Sequence, residues 1–374
     1  MKLEFCHSVP RSDAVVLPCF DPPEWMDGLP DAIRDAAVLA VDSKRFLGAE
    51  DSFYTLTFPW EGRLQSVVLA GLGKKEAVLS NRKVFLVMAA ALRRCRDLKA
   101  RTVAVCADNA PGVTDRPDLL RKLGELPYLV NYRFHRYQSG TKEEGFERAS
   151  VVTRRETDML SDEASICAES ALLARDLTNQ PANAMDPAGL GEQVRQIGAR
   201  CGFSVEVLEP PEIEALGMNC FLAVGRGAQQ TPPRLIVMRY AGGGDAPVVG
   251  LIGKGILFDS GGYCLKPGAG MKAMFDDMGG AAAVIGAISA AARMKLPVNI
   301  VSVVAACENK IGPDAFVPGD ILQTMAGKSV EMLNTDAEGR LTLADAMTYA
   351  IREEGAEVLV DIATLTGAAR NAVG

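Results

Sequence analysis

Between Asn334 and Leu341 the chain reads Asn-Thr-Asp-Ala-Glu-Gly-Arg-Leu, placing two carboxylates, Asp336 and Glu338, and the guanidinium of Arg340 within five residues. Side chains two apart on extended backbone point to the same side, so Asp336 and Glu338 could share hard cations through their oxygens. A carboxylate pair alone is weak, but a second cluster lies upstream. It runs Lys254-Gly255-Ile256-Leu257-Phe258-Asp259-Ser260-Gly261-Gly262, followed by Lys266 and by Asp276-Asp277 ahead of Gly279-Gly280-Ala281. Gly261 and Gly262 permit backbone angles and close approaches that other residues resist.

Composition narrows the chemistry. Only two histidines occur, His7 and His135, both far in sequence from the acidic clusters, which argues against a histidine triad or a histidine-ligated zinc. The nine cysteines form no CxxC pair and read as free thiols of a reducing compartment. A metal here must therefore rely on Asp, Glu and Lys. Gly253-Lys254-Gly255 invites a nucleotide-loop reading, but neither GxxxxGK[ST] nor a GxGxxG opening a helix is present. A net charge of −7 and a pI near 5.2 argue against a nucleic-acid surface. The amino terminus carries Glu4 and no long apolar run, so neither a secretory signal nor a membrane span is expected, and cytoplasm is the inference.

With 374 residues, 48% of them hydrophobic, two globular domains are expected. Residues 1–158 alternate short strand-like runs (66–70, 102–106, 149–153) with a helical stretch at 81–98, which predicts a small α/β domain. The polar run Arg154–Asp158 marks the boundary. Across 159–374, helices alternate with unbroken apolar strands, predicting a mostly parallel, mixed sheet with helices on both faces. Ligands of such sheets sit beyond the carboxyl ends of strands. Accordingly Lys254 and Asp259 are expected after a strand ending at Ile252, Asp336 and Glu338 after Val330–Leu333, and Thr364–Gly367 after a strand ending at Ile362.

Lys254–Pro267, Asp277–Ala282 and Asn334–Leu341 resemble the signature segments of the leucyl aminopeptidase family, the cytosol aminopeptidases, which are two-metal peptidases. Leu173–Leu177, Pro181–Asn183 and Ala363–Gly367 are similar too, so the resemblance covers most of the chain after residue 160. It implies a macro-like N-terminal domain and two divalent ions, Zn2+ or Mn2+. One ion would be held by Asp259, Asp336 and Glu338, the other by Lys254, Asp259, Asp277 and Glu338, with Lys254 ligating as the free amine. Lys266 resembles the family's electrophilic lysine, and Arg340 the arginine that holds a bicarbonate serving as general base. Met274, Asn334, Thr364, Leu365 and Gly367 match positions that contact the substrate's first residue and backbone. Peptide substrates and a homo-hexamer follow from the same resemblance. Leu257 stands where the family usually has threonine, and this sequence ends at Gly374 where family members continue, so the catalytic domain is expected to be incomplete at its end. The alternative it leaves is a non-catalytic assembly or DNA-binding accessory member of the same family.

Each residue also has a plainer reading. Asp277 could be a helix N-cap, Lys254 and Lys266 surface ammonium groups, Arg340 a salt-bridge partner and Met274 core filler. Their joint occurrence in the family's order favours the site.

Overall fold

The computed structural model describes residues 1–60, 62–74, 81–110, 116–140 and 144–373. Two compact units emerge, Met1–Glu169 and Ser170–Gly374. Unit 1 holds strands β1 (Lys2–Cys6), β2 (Ala14–Asp21), β3 (Phe53–Trp60), β4 (Arg63–Lys74), β5 (Thr102–Cys106) and β6 (Arg148–Val152), with helices α1 (Asp31–Asp42), α2 (Asn81–Asp97) and α3 (Pro117–Asn131). The six strands form one sheet in the order β1-β6-β5-β2-β4-β3, parallel except for the β3–β4 hairpin. The inner strands are apolar runs, as a sheet buried on both faces requires. Val15, Leu17, Val67 and Leu69 pack with Ile33 and Ala37 of α1 in one core.

Helix α4 (Leu160–Thr178) crosses the division between the units and begins just past the polar run Arg154–Asp158. Unit 2 then contains α5 (Pro187–Cys201), β7 (Ser204–Leu208), α6 (Pro210–Ala215), α7 (Asn219–Gly225), β8 (Arg234–Ala241) and β9 (Val248–Asp259). It continues with α8 (Gly268–Met271), α9 (Gly279–Arg293), β10 (Asn299–Asn309), β11 (Ile321–Gln323), β12 (Ser329–Glu331), α10 (Gly339–Arg352), β13 (Val358–Ile362) and α11 (Ala368–Val373). Its main sheet runs β13-β9-β10-β8-β7, parallel across the first three strands and antiparallel across the last three. This is the mixed α/β architecture that the alternating pattern predicts.

A core lies on each face of this sheet. On one face Ile252, Ile256 and Cys307 pack with Phe221 of α7 and Leu341 of α10; on the other Leu257, Ala281, Val284 and Ile285 pack with Leu190 and Val194 of α5. The stretch Met274–Arg293 is long and apolar enough to cross a membrane by composition, but 61% of its apolar window is buried inside the protein. Alanine and glycine there serve close packing: a Cβ on Gly280 would fall 2.0 Å from the Ile362 carbonyl oxygen.

Two expectations about strand ends are corrected. Strand β9 does not stop at Ile252 but runs to Asp259, so Lys254 and Asp259 lie within it. Its glycines are contact points rather than breakers: a Cβ on Gly253 would meet Ala281 Cα at 2.7 Å, and one on Gly255 would meet Val304 at 2.7 Å. The apolar run Val330–Leu333 is not a strand of the main sheet either. Its β portion, Ser329–Glu331, pairs only with β11 in a two-stranded ribbon.

Placing Lys254 and Asp259 in one strand raises a parity problem. They are five apart, and an unbroken strand sends odd-spaced side chains to opposite faces. The register against β10 shifts here: Cys307 pairs with Ile256, but Glu308 pairs with Phe258 and Asn309 with Asp259. Two residues of β9, Leu257 and Phe258, thus oppose one of β10. That bulge restores parity, so Lys254 and Asp259 reach the same cluster of side chains.

Candidate active site

Four elements converge on this cluster: β9 brings Lys254 and Asp259, the turn before α9 brings Asp277, the end of β10 brings Asn309, and the turn into α10 brings Asp336 and Glu338. Asp336 and Glu338 do not sit on extended backbone as their spacing suggests. Thr335–Ala337 is a single 3-10 turn, opened by Asn334, whose Oδ1 accepts from Asp336 N at 2.9 Å, and Glu338 is helical at φ −65°, ψ −35°. The helical turn achieves the same convergence: ligand oxygens of Asp259, Asp336 and Glu338 all lie within 4.8 Å of one another.

Two lysines run through the carboxylates. Lys254 Nζ lies 2.7 Å from Asp277 Oδ2 and 2.8 Å from Glu338 Oε1, and it donates to the Thr364 carbonyl at 3.4 Å. Lys266 Nζ lies 2.9 Å from Asp259 Oδ2 and 2.5 Å from Asp336 Oδ1. Asp277 does not act as a helix cap, since α9 has no side-chain cap; its Oδ1 accepts from Thr364 Oγ1 at 2.7 Å. Gly339 makes room for Lys254, because a Cβ there would fall 2.6 Å from Lys254 Cε.

Burial dominates the electrostatics. Lys254, Asp259, Asp277 and Glu338 are 1–4% exposed. Burial pushes Asp277 up to about 7, against the pull of Lys254 and Thr364. It raises Glu338 as well, helped by the charge of Asp259 and opposed by Lys254. Burial also works against the Lys254 ammonium, but Glu338 and Asp277 outweigh it and its pKa is raised. With carboxylates alone as neighbours Lys254 is thus an ammonium, and the free amine expected of a ligand requires cations beside it. Lys266 is likewise raised: burial is outweighed by its bonds to Asp336 and Asp259.

The set fits divalent cations. Four carboxylates face two ammonium groups, a formal charge of −2 when all four are ionised, in a largely buried cluster whose burial resists that ionisation unless cations enter. Glu338 Oε2 is buried without a hydrogen-bond partner, and Asp277 Oδ2 and Asp336 Oδ1 meet only the lysine ammonium groups. Uncompensated buried charge of this kind is costly, and hard oxygen donors suit hard or borderline cations.

The remaining candidates stand further out. Thr364 joins the cluster through Asp277, while Leu365 and Gly367 follow it exposed. Met274 is half-buried in the 3-10 turn Met274–Asp276. Arg340 is exposed and has no ion pair among the described residues. Sequence reasoning missed Asn309 and Thr335. Both are wholly buried, and Asn309 Nδ2 donates to Asp259 Oδ1 at 2.8 Å. The available signal was a polar residue ending the apolar run of β10.

Comparison with known proteins identifies a family. The profile described as "Cytosol aminopeptidase family, catalytic domain" matches residues 172–374, and "Cytosol aminopeptidase family, N-terminal domain" matches 16–141. A protein of Clostridium perfringens named "Probable cytosol aminopeptidase" is 41% identical over 369 residues, spanning 96% of this chain and 74% of its own length. One of the same name from Alkaliphilus metalliredigens is 39% identical, spanning 89% of this chain and 68% of its own length. Among solved structures, "Bottromycin maturation enzyme BotP in complex with Mn" superposes with a TM-score of 0.81 at 30% identity, covering 97% of this chain and 75% of that one. The chain belongs to the cytosol aminopeptidase family, a family of peptidases.

Proposed function

We propose that this chain is a metal-dependent aminopeptidase that removes N-terminal residues, leucine and similar ones among them, from peptides. The observation that carries the reading is the buried cluster of four carboxylates against two lysines, with its unpartnered Glu338 Oε2. In this reading Asp259, Asp336 and Glu338 would hold one divalent cation, Zn2+ or Mn2+, and Lys254, Asp259, Asp277 and Glu338 a second. Cations so held supply Lewis acidity toward the scissile carbonyl and make a nearby water more acidic.

The chain's own groups do the rest. Lys266, beside Asp259 and Asp336, donates to the carbonyl oxygen as negative charge builds there. Arg340, exposed and without an ion pair among the described residues, would hold a small anion such as bicarbonate, which would supply a base for water. Unit 2 itself offers no histidine for that role. To ligate a cation Lys254 would have to give up its proton, so metal binding would release protons. Thr364 orients Asp277 by its 2.7 Å hydrogen bond, and with Met274, Asn334, Leu365 and Gly367 it is assigned to contact with the substrate's first residue. Peptide substrates, a cytoplasmic setting and a homo-hexamer complete the proposal.

The test is hydrolysis of leucine 4-nitroanilide and of leucyl dipeptides by protein loaded with Mn2+ or Zn2+, with and without chelator. Chelator-sensitive release of leucine is expected. Intact substrates after incubation with metal-loaded protein would refute the assignment.

A further inference from the structure

We infer that Asn309 and Thr335 form a clamp that positions the carboxylates of the proposed metal centre, an inference that rests on the reading of that centre given above. Neither residue is offered as a ligand; each acts through its neighbours. Asn309 is wholly buried at the end of β10 and spends both hydrogens of its amide, donating to Asp259 Oδ1 at 2.8 Å and to the Thr335 carbonyl at 3.0 Å. Its main-chain oxygen accepts from Ser260 N at 3.0 Å and Ser260 Oγ at 2.8 Å. Thr335, also wholly buried, donates from Oγ1 to the Gly261 carbonyl at 2.6 Å and accepts from Cys264 N at 2.8 Å. Two side chains thereby tie the loop after Asp259 to the turn that carries Asp336 and Glu338.

The clamp decides which oxygens remain free. Asp259 Oδ1 is taken by Asn309 and by Gly261 N at 2.8 Å, which turns Oδ2 toward Lys266 and the other carboxylates. Reversing the Asn309 amide would set its oxygen against two acceptors, so one orientation is selected. The loop is also shaped around the pair. Gly262 has φ +63°, and a Cβ there would fall 2.9 Å from Asn309 Oδ1 and 3.1 Å from Thr335 Oγ1. With the clamp in place the ligand oxygens of Asp259, Asp336 and Glu338 are held within 4.8 Å before any cation arrives. Fixing ligands in advance reduces the ordering cost of binding, and groups in this supporting role typically contribute about 10–100-fold to metal affinity.

The experiment measures Mn2+ binding to the purified full chain by isothermal titration and equilibrium dialysis, without substrate. Asn309→Leu keeps the approximate size and removes the donors; Thr335→Val removes the hydroxyl; Thr335→Ser restores it. The clamp predicts roughly 10–100-fold weaker Mn2+ binding in Asn309→Leu and Thr335→Val, with Thr335→Ser close to wild type. Asp345→Asn, which perturbs a buried carboxylate accepting from Phe221 N and Met325 N, is the control for stability loss alone and should keep wild-type affinity. Should Asn309→Leu fail to fold, Thr335→Val against Thr335→Ser decides. Wild-type affinity in the folded clamp variants, or an equal loss in Asp345→Asn, overturns the clamp while leaving the metal centre standing. A wild-type chain that binds no Mn2+ overturns both.

Discussion

Substituting Gly339 by alanine tests how tightly Lys254 is confined. Gly339 opens α10, where alanine would ordinarily gain up to about 1 kcal/mol of helix propensity. Here its Cβ would stand 2.6 Å from Lys254 Cε and 2.9 Å from both Cδ and Nζ, whereas carbon atoms prefer roughly 3.5–4.0 Å. Lys254 must then retreat by about 1 Å. An exposed lysine would swing away at little cost. Lys254 is 3% exposed, with Nζ pinned at 2.7 Å to Asp277 and 2.8 Å to Glu338, so the retreat lengthens at least one buried charged contact.

Overpacking of this kind costs about 1–3 kcal/mol, and weakening a hydrogen bond to a charged group adds about 1 kcal/mol or more. After subtracting the helix gain we expect a net loss of about 1–3 kcal/mol, or about 2–12 °C in Tm for a unit of this size. Thermal melts of wild type, Gly339→Ala, Lys254→Ala and the double variant form the assay. In the Lys254→Ala background the clash has no partner, so the cost of Gly339→Ala should vanish or change sign, giving a coupling energy of about 1–4 kcal/mol. The same alanine cost in both backgrounds, or a stabilised Gly339→Ala single variant, would refute the confinement argument.

Removing divalent ions from the purified protein should lower its Tm, and Mn2+ restored at about 100 times its Kd should recover about 2.7 kcal/mol; Glu338→Ala, read by the same melts, should abolish the recovery. Asp345→Asn should cost about 1–3 kcal/mol in urea titration, because an amide sets its NH2 against one of the two backbone donors that the carboxylate accepts from, Met325 N and Phe221 N. That cost should also depend on pH. Burial holds the Asp345 pKa above 3.8, so the folded state binds its proton more tightly; wild type gains most over the variant below about 3.8 and loses ground as pH rises through the folded value. A pH-independent difference between the two would sink that account. Native labelling with a thiol reagent should reach Cys6, Cys167, Cys201 and Cys264, while Cys19, Cys95, Cys106, Cys220 and Cys307 react only on unfolding. Burial pushes their thiols up, Cys95 to about 12, and rapid native labelling of Cys307 found by mass spectrometry would contradict its burial.

What the sequence made legible was the type of donor and the segments that carry them; what it hid was how those segments meet. The runs that became part of β4 and β5 stand out because apolar, β-branched stretches bounded by polar residues have few other fates. Asp336 and Glu338 were paired for a mistaken reason. Their spacing suits extended backbone, yet Asn334 caps a 3-10 turn, and the two carboxylates converge because one ends that turn's first step and the other begins a helix. Gly253 and Gly255 misled in the opposite direction. They read as the end of β9, whereas their missing side chains admit Ala281 and Val304, a packing fact with no local trace in sequence. The bulge at Leu257 is the least readable feature and carries the most consequence. Lys254 and Asp259 are five apart, and strand periodicity would place them on opposite faces of the sheet. Only the shift of register against Cys307 and Glu308 brings both to one side, and that shift depends on a partner strand more than forty residues away. A residue spacing that looks wrong for a shared site can therefore be right when an irregularity in pairing absorbs the odd residue.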